Sequence, residues 1–347
     1  MVMLLIWILR MYTSVKQLHI ELTDKCNAAC PMCIRTNPKT GKAQPWLLKR
    51  ELTLEDFQDI VRPEDLLSLE KINFCGNYGE PLAARDLIPI IKYVYSNNPE
   101  VNIEIASNAS TRSEDWWWEL LEATYKKPFK IIFGIDGTNQ SQNEFYRRNT
   151  NFEKIVNNAN FFIENGGHAE WQYLVFKHNE KDIEKARQMS IDIGFKNFYT
   201  VATERFWSGD YSEYVYKDEK YRLERSTITP NYKTYVGDKK IKCFAKAWQE
   251  AYIDCLGFVT PCCYLGLYLY AVIADRPIDF HNQNELMTIF SEMDLSRLQG
   301  RGKGLAQVVK DPFFFDLLLM HEAKKPERCY KVCGAQINKK EYVGESI

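Results

Sequence analysis

The sequence predicts an α/β protein built around a parallel sheet, and two observations support this class. From Gln17 to about Val201, apolar strand-like segments alternate with helix-like segments whose apolar residues recur at helical spacing. Residues typical of helix starts precede several of the helical segments, and glycines follow some of their ends. With 347 residues, 45% of them hydrophobic, the chain is long enough for one large domain and a smaller one.

The strand-like segments are 17–22, 71–75, 102–107, 130–135, 170–176 and 197–201. Helices are predicted between them, near 53–61, 86–97, 113–125, 151–165 and 180–193. Parallel strands joined by helices require right-handed crossovers. Six such units are too few for a closed eight-unit barrel, which takes about 250 residues. The pattern therefore leaves a doubly wound sheet and an open, partial barrel as alternatives.

The charge balance excludes one class of partner. The 45 Lys and Arg residues nearly equal the 46 Asp and Glu residues, for a net charge of −1, so nothing indicates nucleic-acid binding. The apolar run Val2–Leu9 is too short to span a bilayer, which takes about 20 residues, and it lacks the features of a signal peptide. We assign no role to residues 1–14, and Met11 is an alternative start to Met1.

The ten cysteines group towards the two ends of the chain. This favours metal ligation by the cysteines over a disulfide framework, and we expect the protein in a reducing cytoplasm. Cys26, Cys30 and Cys33 follow the first strand, where one compact loop can direct three sulfurs at a single point. Soft thiolates select zinc, copper or an iron–sulfur cluster. Structural zinc needs four protein ligands, and the loop offers no fourth Cys or His. Zinc completed by a ligand from elsewhere stays an alternative.

This CxxxCxxC spacing after a first strand resembles the radical SAM superfamily. In that family the three cysteines hold a [4Fe–4S] cluster whose open iron binds S-adenosylmethionine (SAM). An electron from the cluster cleaves SAM to a 5′-deoxyadenosyl radical, which abstracts hydrogen from the substrate. The resemblance implies a partial (β/α)6 TIM-like barrel with Cys26, Cys30 and Cys33 as catalytic ligands at its C-terminal mouth.

Further motifs extend the resemblance. Gly79-Glu80-Pro81 matches the end of the family's GGEP turn, after an Asn-Tyr departure. Ser107-Asn108 resembles its Ser/Thr-Asn-Gly turn, with Ala109 in place of the glycine. Each of these residues has an ordinary alternative as a turn or helix cap. The cofactor contacts implied by the resemblance are Met32, Gly79, Glu80, Pro81, Ser107, Asn108, Asp136 and Arg147, with Arg147 as the partner of the SAM carboxylate.

A second cysteine group begins near strand-like segments at 250–254 and 257–260, which predict a hairpin. Its pattern resembles the SPASM/twitch extension of radical SAM enzymes, which holds auxiliary [4Fe–4S] clusters. The resemblance implies one auxiliary cluster on Cys243, Cys262, Cys329 and Cys333. Cys255 and Cys263 are alternate ligands, and zinc on four thiolates is the alternative occupant.

The predicted organisation is an extension (1–14), a radical SAM core (15–203), a polar and aromatic connector (204–242) and a small cysteine-rich α+β domain (243–347). The implied function is reductive cleavage of SAM and hydrogen abstraction from a peptide or small-molecule substrate. The expected electron donor is a protein such as flavodoxin or ferredoxin. A zinc-stabilised binding protein without redox chemistry is the alternative function.

Overall fold

The structure is a computed structural model that describes residues 14–203, 205–206, 209–228, 241–276, 284–323, 329 and 333. The predictions made for residues 1–13 lie outside the described residues, as does the stretch 229–240 of the predicted connector. Within the described part of the chain, no helix is both long and apolar enough to cross a membrane.

An eight-stranded sheet forms the centre of the fold, with the order β10-β9-β1-β2-β3-β4-β5-β6. Each pair from β1–β2 through β5–β6 is parallel, so the predicted class, a mostly parallel α/β sheet with the strand order of a partial (β/α)6 barrel, is confirmed. The core strands are β1 (Gln17–Ile20), β2 (Lys71–Phe74), β3 (Asn102–Ser107), β4 (Phe129–Gly134), β5 (Ala169–Val175) and β6 (Asn197–Ala202).

Helices connect these strands as predicted. They are α1 (Leu54–Ile60), α2 (Pro63–Leu66), α3 (Leu87–Asn97), α4 (Glu114–Thr124), α5 (Gln140–Tyr146), α6 (Phe152–Glu164) and α7 (Ile183–Ile193). Thr53 caps α1 in a reciprocal arrangement with Asp56, in which each side chain accepts the other's backbone N–H. Gly194 ends α7 with φ +94°, a conformation that glycine adopts without strain.

The two faces of the sheet differ in chemistry. One face of the sheet packs against the helices through fully buried side chains such as Ile72 and Phe133. Trp117 of α4 belongs to the same buried core. The alternate positions, which face the other way, carry charged groups that pair across strands. Lys71 lies 2.6 Å from Glu104, and Lys130 bridges Glu104 at 3.2 Å and Glu170 at 3.1 Å. A polar inner surface therefore crosses β2 to β5.

The predicted connector contains a β-hairpin that the sequence analysis did not include. Strands β7 (Tyr211–Tyr216) and β8 (Glu219–Glu224) pair antiparallel. Lys217 and Asp218 join them with φ values of +51° and +64°, which is the backbone of a type I′ turn without its usual glycine. The sequence signal was missed because neither residue is typical of this turn.

The C-terminal cysteine segment extends the same sheet. Strand β9 (Glu250–Ile253) pairs parallel with β1, and β10 (Val259–Thr260) returns antiparallel to β9, so the predicted hairpin is confirmed. Gly257 allows its turn with φ +84°. The surrounding helices are α8 (Phe244–Trp248), α9 (Cys263–Ile273), α10 (Asn284–Ser291), α11 (Leu305–Val309) and α12 (Pro312–Ala323).

Candidate active site

The three N-terminal thiols lie on the loop after β1, at the carboxyl end of the parallel strands. All three are free cysteines, and the N–H of Cys33 donates to the carbonyl of Cys30 at 3.0 Å in a tight turn. Burial raises the pKa of the Cys26 thiol, and the neighbouring Cys30 and Cys33 raise it further. Burial also raises the pKa of Cys30, to about 12. The loop therefore gathers three thiols that interact electrostatically.

Three arginines surround these thiols. Arg35 donates to the carbonyls of Asp24 and Tyr78 and is almost fully buried, and its charge favours the Cys26 thiolate. Arg147 and Arg205 favour the Cys30 thiolate in the same way. Since the arginines offset the negative charge of a trithiolate group, the electrostatics of the loop suit an anionic metal cluster.

The turn after β2 packs directly on the end of β1. A Cβ atom at Gly79 would lie 1.6 Å from the carbonyl oxygen of Thr23, and one at Gly76 would lie 2.4 Å from the carbonyl oxygen of Gly79. Only glycine fits at these two positions. The carboxylate of Glu80 points towards the turn after β3. It accepts hydrogen bonds from the Ser107 hydroxyl at 2.6 Å and from the Asn108 N–H at 2.9 Å.

The turn after β3 lies against the cysteine loop. The Asn108 amide donates to the Asn27 side chain at 3.0 Å and approaches the Cys26 sulfur at 3.9 Å. Ala109, in place of the family's glycine, has φ +51°, the left-handed conformation that glycine adopts at lower cost. The backbone therefore follows the course that a glycine would allow, and Asn108 lies beside the Cys26 thiol.

Asp136 and Arg147 form a buried ion pair beside the cysteine loop. Arg147 Nε donates to Asp136 Oδ2 at 2.6 Å. Desolvation lowers the pKa of the Arg147 guanidinium, but the Asp136 carboxylate outweighs it and raises the pKa above its usual value. Gly134 leaves room for this guanidinium, because a Cβ there would lie 2.8 Å from Arg147 Nη2.

The β7–β8 hairpin covers the cysteine loop from the other side. Cys30 and Met32 pack against an aromatic cluster that includes Phe176 and Tyr214. Arg148 fixes the hairpin there, with its guanidinium carbon 4.4 Å and 4.3 Å from the ring centres of Tyr216 and Tyr221. The carbonyl of Arg148 accepts the N–H of Ala29 at 2.9 Å, which connects the hairpin to the loop.

Part of the second cysteine group also comes together. Cys263, Cys329 and Cys243 all act electrostatically on the half-buried Cys262 thiol, and the carbonyl of Cys333 accepts the N–H of Lys242 at 2.9 Å. Cys263 is next to Cys262. Cys255 lies in a different cluster, with Tyr78 and Tyr270. Within the described residues, no group of three or more His, Cys, Asp or Glu side chains is arranged to hold a metal ion.

Three side chains that shape the site were not predicted from the sequence: Glu21, Arg35 and Arg205. Glu21 accepts the backbone N–H groups of Tyr78 at 2.5 Å and Gly79 at 2.9 Å. Burial raises its pKa to about 7, while these hydrogen bonds and one from Tyr252 oppose the shift. The alternation of the first strand could have revealed Glu21, which shares a face with His19. No local pattern marks the two arginines.

Comparison with known proteins agrees with this arrangement. The sequence model described as the radical SAM superfamily matches residues 20–189. GTP 3′,8-cyclase of Aquifex aeolicus is 27% identical over 222 residues, which cover 62% of this chain and 66%, just under two thirds, of that protein. GTP 3′,8-cyclase of Syntrophomonas wolfei is 24% identical over 254 residues, which cover 72% of this chain and 74% of that protein.

Two solved structures share the fold. Streptococcus suis SuiB bound to S-adenosylmethionine superposes with a TM-score of 0.55 at 14% identity, covering 93% of this chain and 72% of that one. The protein anSMEcpe with bound AdoMet superposes with a TM-score of 0.53 at 13% identity, covering 92% of this chain and 88% of that one. Residues 20–189 of this chain therefore match the radical SAM superfamily, and the chain shares its fold with these two proteins.

Proposed function

We propose that this protein is a radical SAM enzyme that cleaves S-adenosylmethionine and abstracts a hydrogen atom from a substrate. The observation that carries the proposal is the meeting of three free thiols, three arginines and two strand-end turns at one edge of the parallel sheet. A [4Fe–4S] cluster at Cys26, Cys30 and Cys33 would supply the electron for the cleavage.

The chain's own residues would hold SAM and exclude water. Gly79 and Pro81, in the turn after β2, would present backbone groups to the SAM amino group. Glu80 fixes the position of Ser107 and Asn108 through the hydrogen bonds described above, and both residues would contact the cofactor. Met32 lies in the loop between the thiols and would flank the adenine.

Arg147 would pair with the SAM carboxylate. Its Nε is hydrogen-bonded to Asp136, and its side chain is 19% exposed. The two terminal nitrogens of the guanidinium are therefore the groups that can contact a ligand. Asp136 has no exposed side-chain surface. Its role in this proposal is therefore to orient Arg147.

The C-terminal cysteines would hold an auxiliary [4Fe–4S] cluster in a SPASM/twitch-like arrangement on Cys243, Cys262, Cys329 and Cys333. The electrostatic influence of Cys243 and Cys329 on Cys262 supports this set, and Cys263, which acts on Cys262 more strongly, stays an alternate ligand. The electron donor in this proposal is a flavodoxin or ferredoxin, and the location is the cytoplasm. The names of the relatives add GTP to peptides and small alcohols as substrates to test.

Anaerobic reconstitution with iron and sulfide tests the proposal. The expected protein binds iron and sulfide, absorbs broadly near roughly 400 nm as iron–thiolate centres do, and forms 5′-deoxyadenosine when reduced with SAM present. Zinc without this absorbance would favour the cysteine-rich binding protein instead. An iron–sulfur protein that releases no 5′-deoxyadenosine would be a scaffold that has kept the fold and lost the reaction.

A further inference from the structure

Asn77 connects the turn after β2 to the C-terminal cysteine segment. Its amide nitrogen donates to the hydroxyl of Tyr252 in β9 at 3.1 Å and to the backbone carbonyl of Cys263 at 2.9 Å. Cys263 follows Cys262 and begins α9. One side chain therefore joins the proposed SAM-binding turn to a residue adjacent to a proposed auxiliary ligand.

Tyr252 and Glu21 complete this connection from the other side. The Tyr252 hydroxyl donates to Glu21 Oε2, while Glu21 Oε1 accepts the N–H groups of Tyr78 and Gly79. Both side chains are about 1% exposed. A buried network whose members all have partners holds each of them in one geometry, so the backbone of the turn depends on the position of Tyr252.

Helix α9 packs directly on the same tyrosine. A Cβ atom at Gly266 would lie 2.2 Å from the Tyr252 ring, so the helix and the ring touch at a position that admits no side chain. The Tyr78 hydroxyl also donates to the carbonyl of Leu267 at 2.7 Å. A shift of α9 or of the residues at its start would therefore reach the turn through Tyr252, Asn77 and Tyr78.

We propose that Asn77 and Tyr252 are positioning residues that couple the C-terminal cysteine site to SAM binding. The inference rests on the proposed function. A metal group that fixes Cys262 also fixes the carbonyl of Cys263, which holds Asn77 and pre-organises the turn for SAM. Because coupling between two sites is reciprocal, SAM stabilises the metal group on the C-terminal cysteines to the same extent.

A four-protein cycle tests the coupling: wild type, Cys262→Ser, Asn77→Ala and the double variant. Each full-length chain is reconstituted with iron and sulfide, and the N-terminal cluster is quantified by its electron paramagnetic resonance signal in a reduced aliquot. SAM affinity is then measured by calorimetry on the unreduced protein, where no cleavage occurs. Readout by binding keeps the test independent of turnover.

Cys262→Ser is expected to weaken SAM binding by about tenfold, within the usual range of coupling between sites. In the Asn77→Ala background the same change is expected to weaken it by less than about twofold, since the connection is already broken. Asn97→Ala, which makes the same chemical change at the end of α3 far from the site, is the matched control and should leave SAM affinity within about twofold of wild type.

An equal loss of affinity from Cys262→Ser in both backgrounds would overturn the inference and leave the proposed function standing. So would a Cys262→Ser variant that binds SAM as tightly as wild type. Wild type that binds an iron–sulfur cluster but no SAM would overturn the proposed function itself. If Asn77→Ala does not fold, Asn77→Leu replaces it in the cycle, because that change keeps the size of the side chain and removes the donor to the Cys263 carbonyl.

Discussion

Arg147 Nε lies 2.6 Å from Asp136 Oδ2, and the carboxylate that accepts it has no exposed side-chain surface. The other oxygen of Asp136 accepts the N–H of Leu174 in β5 at 2.7 Å. The carboxylate thus joins three elements: the end of β4, strand β5 and the segment after α5. Its charge is compensated within the protein, so removing Arg147 leaves a buried carboxylate without its charged partner.

Arg147→Met should therefore lower the free energy of unfolding by about 3 kcal/mol, as expected for breaking a buried ion pair. Urea denaturation of the cofactor-free protein measures this effect. Arg222→Met removes the exposed pair of Arg222 with Glu224, whose side chains are 55% and 48% exposed, and should cost less than about 1 kcal/mol. Equal losses in the two variants would contradict the structural role of the pair.

Gly79→Ala tests the close contact between the turn and β1. A methyl group 1.6 Å from the Thr23 carbonyl forces the backbone apart, so we expect a stability loss of about 1–3 kcal/mol and a large loss of SAM affinity. Gly209→Ala is the matched control, because a Cβ there meets nothing within 4 Å. Unchanged SAM binding by a folded Gly79→Ala variant would remove this turn from the proposed site.

Arg148→Lys tests whether the aromatic contacts of Arg148 hold the hairpin on the cysteine loop. Lysine lacks the planar group that stacks between Tyr216 and Tyr221, so amide hydrogen exchange should accelerate both over 211–224 and in the covered loop at 26–33. The matched change is Arg222→Lys, at a guanidinium 3.8 Å from the exposed Tyr211 ring, and it should leave exchange in the loop at 26–33 unchanged. Protection of the hairpin that persists in Arg148→Lys would show that other contacts hold it.

The lowered pKa of the Glu180 carboxyl group predicts that the protein loses stability in acid. Burial would raise its pKa, but hydrogen bonds from Lys177, Ser226 and Thr227 outweigh burial and lower it to about 2. Because the folded pKa lies below the unfolded one, this stabilisation is complete above about pH 4.5 and is lost as the pH falls towards 2. The stability difference between wild type and Glu180→Gln should shrink over that window. Glu184→Gln, at an 83% exposed side chain, should show no such trend.

Two cysteine variants separate the proposed clusters. Cys30→Ser should abolish SAM cleavage, because it removes a ligand of the proposed catalytic cluster. At saturating SAM, Cys329→Ser should spare uncoupled cleavage and stop substrate turnover. Chromatographic assay of 5′-deoxyadenosine, with and without substrate, distinguishes the two. Normal cleavage by Cys30→Ser would show that the ligand assignment is wrong.

The local elements of the core could be predicted from the sequence because their signals are local. Strand β3 occupies 102–107 as predicted, and the helix predicted near 113–125 covers 114–124. The pairing of β9 with β1 could not be predicted, since it joins Gln17 to Glu250 and neither strand carries a mark of its partner. The roles of Arg35 and Arg205 depend on the same long-range folding, which explains why sequence analysis missed them.

Because β1 lies between β2 and β9, the strand that leads into the cysteine loop lacks one neighbour until the ribosome has made residue 253. At about 5–20 residues per second, that interval lasts roughly 10–50 s. The cysteine loop is therefore made well before the sheet beside it is complete. The strand that completes the support of this loop is encoded more than two hundred residues later.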